Sequence, residues 1–302
     1  MLHVVFGAGQ VGGAVAQGLL EAGHQVRIVR RRDAPIPAGA ELCLGDARDP
    51  AFVKRASAGA AVIYHCMNPS AYTQKAWETE FPAMGEAMIA AALAHNARLV
   101  CLDNLYGYGI QAEKRRENSP MLAQGPKGKV RVAWDARLRA TAGLRFVVGR
   151  AGDFFGPGAD QALFSPKMLR DLRSGKRAWL VGDPQAVHAF SFVPEVARSL
   201  VRLGTATDDV EGQVFHLPVI QLAPAELLAQ LGKAMGVPTP YYSLPTWLLR
   251  VAAPFGGLLG ELAETAYQWD RPFLVDDQLF RSRFPGSLTV EEAAQATAAA
   301  VA

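Results

Sequence analysis

The chain has 302 residues, half of them hydrophobic, which is enough for one large domain or two with a sizeable core. Its formal charge of +3, with no dense lysine and arginine tract interleaved with aromatics, gives no sign of a nucleic-acid partner. Cys43, Cys66 and Cys101 are scattered without C-x-x-C or metal-ligand spacing, and read as free thiols of a reducing compartment. The apolar start is too short for a signal peptide. No uninterrupted apolar stretch reaches the roughly 20 residues of a membrane span. Residues 247–262 come nearest, broken by Arg250, Pro254 and Glu261. Together these features read as a soluble, cytoplasmic protein with no membrane partner.

Residues 3–6 form a short apolar run that predicts a buried strand. Gly7-Ala8-Gly9-Gln10-Val11-Gly12 follows at once, and Val11, Val15, Leu19 and Leu20 then recur at helical spacing until Gly23. Residues 25–29 predict a second strand. G-x-G-x-x-G between a strand and a helix, in a unit of about 30 residues, signals a dinucleotide site. Gly7 allows the tight turn, Gly9 lets the backbone approach a pyrophosphate, and Gly12 lets helix and strand pack closely. Gln10 and Val11 open the helix, whose free N–H groups face the phosphates. At the end of the second strand an NAD site usually carries an acidic residue for the ribose 2′-hydroxyl. Here the strand ends in Arg30-Arg31-Arg32. Guanidinium forks match a 2′-phosphate dianion that a carboxylate would repel, so Arg30 and Arg31 favour NADP(H) over NAD(H).

A strand over 41–44 ends in Gly45-Asp46-Ala47-Arg48-Asp49. Asp46 is placed to accept from the adenine amino group, although Asp46 or Asp49 could equally cap the helix starting at Pro50. Residues 60–64 predict a strand followed by His65-Cys66-Met67-Asn68, and this loop, with Cys66, should flank the cofactor. A long helix over 74–95 leads to a strand over 98–102, and a helix over 130–140 to a strand over 144–148. Strands alternating with helices at this pitch predict an α/β fold with a doubly wound, Rossmann-type parallel sheet over residues 1–150. From Arg150 the texture becomes irregular, with short strands over 178–181, 187–192 and 214–217. Proline and glycine clusters at 236–240 and 254–257 separate the later elements. Residues 151–302 read as a smaller substrate lobe, interleaved with the first and not folding alone. Tyr72, Trp77, Phe154, Phe155, Phe164 and Trp179 could line an apolar pocket, although aromatics at such positions are more often core.

These stretches resemble the extended and atypical short-chain dehydrogenase/reductases of the NAD-dependent epimerase/dehydratase type. The resemblance rests on GAGQVGG, GDARDP, DNLYGYG, RAGDFFGPG and AFSFVPEVARSLV, and covers nearly the whole chain. It implies a catalytic Ser/Thr with Tyr and Lys in Y-x-x-x-K, the Lys binding the nicotinamide ribose and electrostatically assisting the Tyr. This chain departs from that set. Lys129 stands at the lysine position, Gly125 stands where the tyrosine belongs, and no hydroxyl falls over 102–104. Tyr106, Asn104 and Lys129 are the candidate replacements: a phenol, a carbonyl-binding amide, and a lysine able to act as the acid–base group itself or only to hold the ribose. Tyr106 also matches an aromatic that is often structural in the family, and Tyr108 lies two residues on. His188 and His216 read as packing residues.

Three functions compete. The first is an atypical NADP(H)-dependent oxidoreductase acting on a small carbonyl or enone. The second is a non-catalytic NADP(H) sensor, and the third a sugar-nucleotide epimerase or dehydratase. Relatives of that type often pair through the long helices, here 74–95 and 130–140, but nothing in the pattern of these helices decides for or against a homodimer.

Overall fold

The computed structural model describes residues 1–253 and 256–301; Pro254, expected to interrupt the 247–262 stretch, lies outside them. In chain order the first strands are β1 (Leu2–Phe6), β2 (Gln25–Arg30), β3 (Glu41–Leu44), β4 (Ala60–His65), β5 (Arg98–Asp103) and β6 (Phe146–Arg150). There follow β7 (Asp153–Phe155), β8 (Ala178–Val181), β9 (His188–Phe192), β10 (Val214–His216), β11 (Ile220–Leu222) and β12 (Tyr241–Leu244). The main sheet runs β10-β6-β5-β4-β1-β2-β3, and β3 through β6 pair in parallel. That is the doubly wound order, with its reversal between β1 and β4, where ligands bind off the carboxyl ends.

The apolar runs form these strands because both sheet faces are covered. Val4, Phe6, Ile63, Leu99 and Val148 are buried against Phe81, Met88 and Trp134 of the covering helices. Those helices include α1 (Gln10–Glu21), α2 (Pro50–Ala56), α3 (Gln74–His95) and α4 (Pro126–Ala140). The α3 helix ends at Asn96 in the left-handed conformation, φ 50°, which its small polar side chain tolerates. Two elements start two or more residues from expectation. The α4 helix begins at Pro126, whose fixed φ suits a first helical turn. The β6 strand begins at Phe146 because the Leu144 N–H is held by the Thr141 carbonyl in a turn.

Two compact units divide the chain, and each is built from separated segments. The first comprises Met1–Gly107, Pro126–Arg150 and Val196–Phe215; the second comprises Tyr108–Gly125, Ala151–Glu195 and His216–Ala302. The second unit holds the sheet β11-β9-β7 and the pair β12-β8. Phe155, Phe164, Phe190, Leu227 and Leu231 pack in its core, so Phe155 and Phe164 are core residues and not pocket wall. Trp77 is likewise buried in the first unit, whereas Trp179 is exposed. Among the described residues no helix is long and apolar enough to cross a membrane, and no group of His, Cys, Asp and Glu could hold a metal.

Candidate functional site

At the switch point of the first unit, β1 is followed by Gly7 with φ +94°, a conformation glycine adopts freely. A Cβ at Gly7 would meet Met67 Cγ at 2.7 Å and the Cys66 carbonyl at 2.9 Å, and one at Gly12 would run into the Gly7 carbonyl oxygen. A Cβ at Gly9 would meet nothing within 4 Å, so open space lies before the helix. No side chain caps α1 and its first turn has no acidic residue, which leaves its N–H groups to an anion. Val11 is buried against the sheet, and Gln10 is the first helical residue.

A cavity of about 450 Å³ opens here, lined by Gly7 and Gly9, by Arg30, Arg31 and Arg32 beyond β2, by Asp46 and Arg48 beyond β3, and by Cys66 and Asn68 beyond β4. Strand ends and the glycine turn make most of its wall and Glu80 and Met84 of α3 complete it, at the place where a doubly wound sheet binds a dinucleotide. Arg30 Nη1 lies 3.5 Å from the carbonyls of Ala34 and Pro35. Asp46 accepts from Arg48 Nε at 3.0 Å and Nη2 at 2.5 Å, and from the Arg48 backbone N–H at 2.9 Å. That hydrogen bonding holds the Asp46 carboxyl down at about 2. Asp49, not Asp46, caps α2, accepting from the Ala51 N–H at 2.9 Å. The Cys66 thiol is pushed up to about 12 by burial, which makes it a wall residue and not a nucleophile.

Beyond β5 the expected catalytic residues separate. The Asn104 side-chain oxygen accepts from the Tyr106 N–H at 3.1 Å, an Asx turn that starts the short helical turn Tyr106–Tyr108. Tyr106 meets Tyr72, hydroxyl to hydroxyl, at 3.2 Å. Lys129 is exposed on α4 beside Gln74 and Glu78. Lys127, two residues earlier, is fully buried, with Nζ 4.7 Å from the Tyr72 ring centre. Sequence reading passed over Lys127 because the spacing from the missing tyrosine points to Lys129. The surrounding KGKVR offered no further spacing to correct it.

Behind these residues lies a buried ion network. Asp103 pairs with Arg131 and Arg150, each at 3.1 Å, and Arg150 reaches Asp135 at 2.6 Å. Arg131 also donates to the Asn68 side-chain oxygen at 2.8 Å, which ties the network to the cavity wall. Burial pushes the Arg131 guanidinium down, and Asp103 opposes that. In the second unit Tyr108 is fully buried with its hydroxyl 2.7 Å from His216 Nε2. His216 Nδ1 lies 2.8 Å from the Asp276 carbonyl, which only accepts, so that nitrogen carries the proton and Tyr108 donates to Nε2. Both read as packing groups. His188 is likewise buried, between Asp153 at 2.7 Å and the ring of Trp269.

The sequence model of the NAD-dependent epimerase/dehydratase family matches residues 3–217. The chain belongs to that family. A UDP-glucose 4-epimerase of Streptomyces lividans is 30% identical over 156 residues, 46% of this chain and 46% of that protein. A 3beta-hydroxysteroid-dehydrogenase/decarboxylase of Arabidopsis thaliana is 22% identical over 226 residues, 68% of this chain and 39% of that protein. The chain therefore spans less than half the length of these curated relatives. Among solved structures, the UDP-glucose 4-epimerase of Thermus thermophilus in complex with NAD superposes with TM-score 0.78 at 17% identity, covering 100% of this chain and 99% of that one. At that identity the likeness is one of fold. At the positions where the resemblance implies catalytic hydroxyls, Leu102 lies within β5 and carries none, and Gly125 has no side chain.

Proposed function

We propose that this family member is an NADP(H)-dependent oxidoreductase reducing a small organic carbonyl or enone. The observation that carries the reading is the rim of the switch-point cavity, where four arginines, Arg30, Arg31, Arg32 and Arg48, meet two carboxylates, Asp46 and Glu80. A 2′-phosphate finds guanidinium forks there, and no acidic residue stands at the end of β2 to bind a free 2′-hydroxyl. Gly7, Gly9 and Gly12 would admit the pyrophosphate, and Cys66 and Asn68 would flank the next portion of the dinucleotide. When bound, such a cofactor supplies a hydride. Of the candidate replacements, Tyr106 is the better proton donor and Lys129 the poorer: Tyr106 is hydrogen-bonded at a strand's carboxyl end, while Lys129 is solvated.

A second reading, an epimerase or dehydratase of a nucleotide-linked sugar with tightly held NAD, is favoured by the family and by the named activity of the Streptomyces lividans relative. Titration of tryptophan fluorescence with NADPH and NADH, on the wild type and on Arg30→Ala and Arg31→Ala, separates the two. The first reading expects tighter NADPH binding, a preference lost in either variant, and NADPH oxidation with some member of a carbonyl and enone panel. Equal or tighter NADH binding would return the second.

A further inference from the structure

Three side chains from three elements converge off the carboxyl ends of β4 and β5. Tyr72 precedes α3, Tyr106 follows β5, and Lys127 lies in the first turn of α4. The Tyr72 hydroxyl donates to the Tyr106 hydroxyl at 3.2 Å, and the Lys127 ammonium sits over the Tyr72 ring at 4.7 Å from its centre. Trp77 holds both rings, with centroids 6.0 Å from Tyr72 and 5.8 Å from Tyr106. The Arg131 guanidinium lies over Trp77 at 4.9 Å and bonds Asn68 of the cavity wall, so the cluster is continuous with that wall. Of the described contacts, the charged groups facing the pair are Lys127 and Arg131 on α4 and, behind Arg131, Asp103 on β5.

A phenol that accepts a hydrogen bond from a second phenol keeps that bond, strengthened, once it becomes a phenolate. A buried ammonium on the face of the donor ring draws charge toward itself and makes that ring's O–H a stronger donor. Asn104 holds the backbone of Tyr106 in the Asx turn, and Trp77 packs against its ring. The acid that Y-x-x-x-K lacks here is thus offered by Tyr106, and the buried cation that exposed Lys129 does not supply by Lys127.

We propose that Tyr72 and Lys127 are positioning residues that make Tyr106 the proton donor of this site. The assignment rests on the oxidoreductase reading above. In the step itself the substrate carbonyl is reduced and the nicotinamide oxidised. The C=O π bond breaks, the carbon takes a hydride with its electron pair, and the oxygen takes the Tyr106 proton. The electron pair of the broken O–H bond stays on the Tyr106 oxygen, where the Tyr72 hydroxyl donates to it. A proton from water then restores Tyr106.

The test is an ultraviolet difference titration of the seven tyrosines, followed on the wild type, Tyr72→Phe, Tyr106→Phe, Lys127→Met and Lys127→Arg. The wild type is expected to form one phenolate below the ordinary tyrosine range near about pH 10. Tyr106→Phe removes that step, Tyr72→Phe and Lys127→Met move it up into the ordinary range, and Lys127→Arg keeps it low. An early step absent from the wild type, or unmoved in Tyr72→Phe, overturns the proposal. NADPH fluorescence titration of the same proteins separates this failure from that of the underlying reading. A protein that binds NADPH without the early phenolate refutes the tyrosine pair alone. One with the phenolate step but no NADPH binding refutes the cofactor assignment and leaves the pair standing.

Discussion

The Glu264 side chain fills the space into which any side chain at Gly125 would grow: a Cβ there would run into Cγ, Cδ and Oε1 of the glutamate. Both residues belong to the second unit. The place where the family resemblance implies a tyrosine is thus filled by the glutamate. Restoring it with Gly125→Tyr is expected to destabilise the protein by about 1–3 kcal/mol, the usual cost of overfilling a packed site. Glu264→Ala made with it should recover much of that loss, a coupling of about 1 kcal/mol between touching residues. Thermal unfolding of the two single variants and the double variant checks this. Strict additivity would show that the glutamate does not occupy the tyrosine's place.

Asp103 pairs with both Arg131 and Arg150, and all three side chains are at most 2% exposed. Removing its charge leaves two guanidinium groups in the interior, with Asp135 the remaining described partner of Arg150. Breaking a buried pair from one side typically costs about 3–5 kcal/mol. Asp103→Asn should fall in that range in urea unfolding at neutral pH. It should also weaken cofactor binding, because Arg131 orients Asn68 in the cavity wall. A loss under about 1 kcal/mol, the median worth of a surface pair, would mean that water reaches the network.

How much of this the sequence revealed depended on whether neighbours along the chain or across the fold decide the outcome. The glycine turn, Arg30 at the end of β2, Asp46 just past β3, and α3 over Gln74–His95 were legible because local spacing fixes them. The start of α4 was misjudged: residues 126–129 hold Pro, Gly and two lysines, with no apolar period to read. Lys127 and Lys129 look alike on paper, and only the face of α4 turned toward Tyr72 tells the buried one from the exposed one. Tyr72 sits 34 residues from Tyr106, so no motif could join them. Which segments change units, Tyr108–Gly125 and Val196–Phe215, was equally hidden, since it depends on which distant strands pair.

Asp46 offers a sharper test of the cavity rim. Both of its carboxylate oxygens are engaged by Arg48, so its main effect on a bound phosphate is repulsion, and its charge also offsets that of Arg31. Asp46→Asn removes one negative charge from the rim, worth about 1 kcal/mol at solvent-exposed contact distance, or roughly fivefold in affinity. NADPH should bind about that much more tightly, and NADH should change little. Weaker binding of both nucleotides would instead assign Asp46 to the adenine amino group.

Acid should loosen the first unit before its carboxylates titrate. Burial, and secondarily the charge of Arg131, lowers His65 from its ordinary 6.5 to about 3. His3 falls to about 4, chiefly by burial and then by His24 and the N-terminus. Folded, both rings bind a proton less readily than in the unfolded chain. Stability is therefore full above pH 6.5 and declines as pH falls through the window down to about 3 for His65 and about 4 for His3. Each ring contributes at most about 1.4 kcal/mol per pH unit inside that window. His65→Phe keeps the ring packing against Phe81 and Trp134, at 5.5 and 5.9 Å, while losing the acceptor for the Met67 N–H. Urea unfolding at several values from pH 6.5 down to about 5, above the ordinary carboxylate range, should show about half the wild-type slope in His65→Phe. An unchanged slope would mean that His65 is already protonated in the folded protein.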